Sequence, residues 1–182
     1  MLRRRSEEAV IFVGSLFSSP EVFAAVVPVL RRRFGDPLYE GPSLPWNYSS
    51  YYDEELGTPL FRNFMFFDAV VDPLCLADAK RATTEVEDEF STEGKRRVNL
   101  DPGYLTLAKV VLASGKNYSH RICLAKGVFC ELELFYEKGK FNPLPYTYFD
   151  YRDKAFLRIF ADARKLLKNK LDRPQATLKT RS

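Results

Sequence analysis

Histidine, tryptophan and cysteine are scarce in this sequence, and it has no long apolar run. His120 is its only histidine, so any histidine-dependent chemistry must use that residue. With no clustered thiolates either, a metal site would be left with carboxylates, suited at best to magnesium, and none is expected. Three cysteines (Cys75, Cys123 and Cys130) are too few for a disulfide scaffold, and their spacing fits no zinc motif. No apolar stretch approaches the ~18 residues that cross a bilayer, so no membrane partner is expected. The acidic pair Glu7-Glu8 separates the N-terminal arginines from the first apolar run, and no small-residue cleavage site follows, a poor fit to a signal peptide. By elimination the expected setting is cytoplasmic.

What is present fits one globular domain. Across 182 residues, 46% are hydrophobic and 29% charged, and there are 15 Phe and 10 Tyr to a single Trp. Much of the net charge of +4 lies at the ends, in Arg3, Arg4, Arg5, Arg173, Lys179 and Arg181. Without those cations the body is slightly acidic, so nucleic acid ranks behind a small molecule as the expected partner. The expected organisation is a basic arm at 1–8, a single α+β domain at 9–170 and a flexible basic tail at 171–182.

Local signals suggest the elements. Ala9–Phe17 reads as a strand buried on both faces. Ser19-Pro20-Glu21 opens a helix that Gly35 ends, with Pro28 inside it. Pro37–Trp46 is extended, and 47–57 is a tyrosine-rich loop. Phe61–Val71 is a strand, and Asp72-Pro73 opens a helix to about Phe90. After the short strand Val98-Asn99-Leu100 comes Asp101-Pro102-Gly103, which suits either a turn or a helix cap. The polar pair Thr106 and Lys109, three apart, favours a helix over 104–113. Ser119–Ala125 and Val128–Tyr136 form a hairpin about Lys126-Gly127. In that register His120 faces Glu133, and Cys123 faces a still-reduced Cys130. An amphipathic helix over about 153–170 closes the body. The resulting fold class is α+β: a mixed, mostly antiparallel sheet with helices packed on it. Its first half has the β-α-β-β-α-β order of a ferredoxin-like unit, extended by a helix, a hairpin and a C-terminal helix.

Several blocks together resemble one known family. They are 12–17 (FVGSLF), 51–57 (YYDEELG), 93–105 (EGKRRVNLDPGYL), 117–121 (NYSHR) and 138–148 (KGKFNPLPYTY). They are similar to the prokaryotic family catalogued as domain of unknown function 4416, over roughly residues 9 to 165. The resemblance implies a stand-alone domain with no established reaction. A GTP-binding label attached to some members finds no P-loop here. Gly94-Lys95 and Gly115-Lys116 lack both the following Ser/Thr and the earlier glycine that cradle phosphates.

Two constellations could carry function. Lys95, Arg96, Arg97, Asn99 and Asp101, with Arg121, could grip a phosphate or carboxylate, or they could be a solvated charged face. His120 and Glu133 could act as a general base with its orienting carboxylate, or as a cross-strand polar pair. The loop aromatics Trp46, Tyr48, Tyr51, Tyr52, Tyr146, Tyr148 and Tyr151 could stack a ligand, form an interface, or lid the core. The reading favoured is binding of an anionic, nucleotide-like small ligand. The alternative is a non-catalytic interaction or RNA-associated module using the tyrosine loops and basic termini. No motif names a cofactor or sets an oligomeric state.

Overall fold

Every residue of β1 (Ala9–Phe17) is buried because the strand runs through the middle of the sheet, with antiparallel neighbours on both sides and helices over both faces. The computed structural model describes residues 7–125 and 127–172. Most of the expected basic arm and tail lies outside the described residues. Ser19 caps α1 (Pro20–Phe34), its Oγ accepting from the Val22 N–H at 3.2 Å. Gly35, at φ +94°, closes the helix. The helix runs through Pro28. Two short strands follow, β2 (Pro37–Glu40) and β3 (Leu44–Trp46), and both pair with β4 (Leu60–Val71). Between β3 and β4 the segment 47–57 crosses one end of the sheet as a strap, with one turn of helix in it, α2 (Asp53–Leu56). Asp72 and Pro73 start a 3-10 turn that leads into α3 (Leu76–Glu89).

The remaining strands are β5 (Val98–Leu105), β6 (Lys109–Ser114), β7 (Ile122–Ala125), β8 (Val128–Glu137) and β9 (Lys140–Pro143). A turn of helix, α4 (Phe149–Arg152), precedes α5 (Lys154–Leu171), which Asp153 caps by accepting from the Ala155 N–H at 2.8 Å. The sheet order is β2-β4-β1-β5-β6-β8-β7, with β3 on β4 and β9 on β8, and the ladders are antiparallel. The protein is therefore α+β, with helices packed on a mostly antiparallel sheet.

Strand alternation sorts the core into two layers. Ile11, Val13 and Phe17 face α1 and α3, meeting Val26, Leu30, Leu76 and Val86. Val10 and Phe12 face α5, whose Phe156, Ile159, Phe160, Ala163 and Leu167 are buried against them. Phe160 packs its ring against Phe12, Phe64, Phe66 and Tyr151 at centroid distances of 5.0 to 5.5 Å. Helix α5 covers only part of its face. Beyond Phe12 the same side of the sheet carries Arg62, Asn99 and Asp101 beside a small apolar cluster of Leu16, Trp46, Leu56 and Leu60.

Two expectations fail. The helix expected over 104–113 is a hairpin of β5 and β6. Asp101-Pro102-Gly103 lies inside β5, with Gly14 opposite Asp101 and Phe12 opposite Gly103. Strand β6 pairs only from Gly103 onward, so Pro102 stands where β5 has β1 alone as neighbour, a place that tolerates a missing N–H. Gly103 serves a close approach. A Cβ there would lie 2.2 Å from the Phe12 ring and 2.5 Å from the Val111 carbonyl oxygen. The second failure is register. The β7–β8 ladder begins as expected with Ala125 opposite Val128, then slips by one residue, so that Cys123 faces Phe129 and Ile122 faces Cys130. The expected Cys123–Cys130 pair does not form, because one slip reverses every partner beyond it. Both thiols are free.

Candidate functional site

The polar half of the α5 face is built in register. Gly14 of β1 lies between Phe64 and Asp101, and Leu16 lies between Arg62 and Asn99, so Arg62, Asn99 and Asp101 point to one side. Arg62 is almost fully buried. It donates to Asp101 at 3.0 Å and lies 3.2 Å from Asp150, which also accepts from the Trp46 indole N–H at 3.0 Å. Asn99 bridges outward: its amide donates to Asp101 at 2.7 Å, and its carbonyl accepts from Arg96 Nη1 at 2.7 Å. The Arg96 fork then holds Glu55 of the strap with two bonds, at 2.7 and 2.8 Å. That contact holds the Glu55 carboxyl below its ordinary range.

A second cluster joins β8 to the segment between β6 and β7. Glu131, buried opposite Leu112, accepts from Arg121 at 3.1 Å and bonds the His120 ring. His120 in turn stacks on Tyr146 at 4.1 Å. Arg121 also donates to Ser114 at 2.9 Å, the Lys116 carbonyl at 2.8 Å and Tyr148 Oη at 2.7 Å. Lys116 continues the line by donating to Tyr51 Oη at 2.9 Å, which lowers the pKa of that phenol.

Two carboxyl groups beside these clusters hold their protons more tightly than usual. Burial raises Glu87 to about 7, although it accepts from the Leu100 N–H at 2.5 Å. Burial, with Glu131 nearby, raises Glu133 to about 9. Glu133 is the extra residue where the β6–β8 ladder shifts. One of its oxygens accepts from the Tyr148 N–H at 3.2 Å, while the other is buried without a partner. The expected His120–Glu133 pair does not form: His120 lies before β7 begins, and its ring bonds Glu131 instead.

Of the remaining expected residues, the structure brings Arg96, Asn99 and Asp101 into one network and Arg121 into the neighbouring one. Lys95 and Arg97 are exposed. Arg97 sits at a bend before β5 begins, so strand alternation does not carry it onto the face of Asn99. Sequence reasoning missed Arg62, Glu55, Glu131 and Asp150. Arg62 carries the clearest signal, a lone cation inside an apolar strand, and the others show none. The aromatic loops divide. Trp46 and Tyr151 are buried and Tyr48 donates to Asp153, whereas Tyr51 and Tyr148 stand exposed at the rim. Among the described residues, no three His, Cys, Asp or Glu side chains gather as a metal site, and no helix is long and apolar enough to cross a membrane.

Residues of the blocks similar to a known family meet in these clusters, Glu55 with Arg96 and Arg121 with Tyr148. A family model, Domain of unknown function (DUF4416), matches residues 7–167. The chain belongs to this family. The DUF4416 match takes in both clusters, the strap and nearly all of α5. Comparison with curated proteins and with solved structures gave no match.

Proposed function

We propose that this protein binds a small anionic ligand, through a carboxylate or phosphate group, at the rim formed by Arg96, Arg121 and Lys116. The observation that carries the reading is the Arg96 fork. It is held flat and partly exposed by Asn99 behind it, and it already grips one carboxylate bidentately. A guanidinium oriented before ligand arrives loses little freedom on binding. Charge favours the same reading. Glu87 and Glu133 lean toward their neutral forms, so the arginines face fewer negative charges than the acidic residues present suggest. Tyr51 and Tyr148 supply hydroxyls and ring faces at the rim.

A thermal-shift screen of pyrophosphate, sugar phosphates, nucleotides and dicarboxylates tests this. At one hundred times Kd, a true ligand adds about 2.7 kcal/mol of stability. Arg96→Lys keeps the charge but loses the fork, and should weaken binding roughly tenfold or more, the loss of one charge-assisted bond. Equal binding by Arg96→Lys, or no stabilisation by any anion, refutes the reading. A salt titration separates it from RNA association, whose affinity falls steeply with salt.

A further inference from the structure

The strap over 47–57 is fastened in two different ways. Its roots are internal: Trp46 donates to Asp150 at 3.0 Å, Tyr48 donates to Asp153 at 2.9 Å, Ser18 donates to the Leu56 carbonyl, and Leu56 is buried. At its tip Tyr52 packs against Trp46, while the polar side-chain ties to the rest of the chain both go to cations at the surface. Glu55 lies in the Arg96 fork with both partners about one-third exposed, and Tyr51 accepts from Lys116. With the start of β4 the strap borders an open cavity of about 400 Å³ lined by Trp46, Ser49, Ser50, Asp53 and Pro59.

We propose that Glu55 occupies, from within the chain, the Arg96 fork that the ligand anion takes, so that the strap is an internal competitor displaced as ligand enters. The inference rests on the reading of Arg96 as a ligand anchor. A side-chain carboxylate presents two oxygens to the fork, as a ligand carboxylate or phosphate does, so the exchange conserves the charge-assisted bonds at Arg96. Lys116 is freed by the same movement, because Tyr51 rides on the same tip. The structure described here is the closed state, and apparent affinity falls by the fraction of molecules whose fork is open.

The test uses the full chain, with inorganic pyrophosphate and succinate as separate probes that distinguish a phosphate from a carboxylate. Calorimetry at constant ionic strength compares wild type, Glu55→Gln and Glu54→Gln, the last controlling for loss of one nearby negative charge. Glu55→Gln should bind whichever probe the site accepts about tenfold tighter than wild type, as for a fork shut nine-tenths of the time. Glu54→Gln should move little. In wild type, probe binding should speed amide hydrogen exchange at the strap tip, residues 50–55. Equal or weaker binding by Glu55→Gln, or unchanged exchange at the tip, overturns the strap. If Arg96→Ala abolishes binding in that case, the anion site itself stands. If neither wild type nor Glu55→Gln binds either probe, both readings fall.

Discussion

Substituting Glu133→Gln should stabilise this protein, and by an amount that depends on pH. Glu133 is fully buried on β8, with its carboxyl pushed up to about 9 by burial and by Glu131 beside it. In the unfolded chain the group ionises near its ordinary value of 4.5. Because the folded value is the higher one, stability is full below about pH 4.5 and is lost progressively as pH rises toward 9. One unit of difference is worth 1.36 kcal/mol. Folding with a protonated Glu133 therefore costs about 1 kcal/mol at pH 5, about 3 at pH 7 and about 6 at pH 9. Glutamine matches the shape of the neutral carboxyl and cannot ionise, so it removes that cost. A domain of this size shifts its Tm by roughly 2–4 °C per kcal/mol, so the variant should melt about 6–12 °C higher at pH 7. Paired melting curves of wild type and variant from pH 5 to 9 isolate the effect, because every other group cancels in the difference. A difference that stays flat with pH, or a variant less stable throughout, would show that Glu133 folds as a carboxylate.

Other outcomes follow from packing and pairing. Arg62→Ala leaves Asp101 and Asp150 without their shared cation, and should lose about 3–5 kcal/mol in denaturant titration. Gly103→Ala places a methyl group against Phe12 and the Val111 carbonyl, so a loss of at least about 1–3 kcal/mol is expected; unchanged stability would mean that β1 and β5 are not in the described register. Phe160→Ala empties the centre of the aromatic cluster under α5, for about 3–5 kcal/mol. Among the thiols, exposed Cys123 should react first with a colorimetric disulfide reagent. Cys75 and Cys130, half-buried and with their pKa raised by burial, should react more slowly.

The amino-acid sequence by itself determined the elements whose causes are local. Ser19-Pro20 starts α1 and Gly35 stops it within one turn of chain, and the aromatic stripe of α5 repeats at helical spacing whatever covers it. The unbroken apolar run of β1 needs only two neighbours to explain it. Partnership is different, because it depends on register, and register turns on single residues. One slip in the β7–β8 hairpin separated Cys123 from Cys130, while His120, which lies before β7, meets Glu131 and not Glu133. Asp101-Pro102-Gly103 has the composition of a turn or cap, yet β1 along its whole length and β6 from Gly103 onward hold it as strand, since Gly103 alone leaves room for Phe12. The candidate site is a further step removed. Arg96 meets Glu55 across 41 residues, and Trp46 meets Asp150 across 104. No local pattern encodes pairs so distant. The sequence supplied the charges, and only the packed sheet decided which of them face each other.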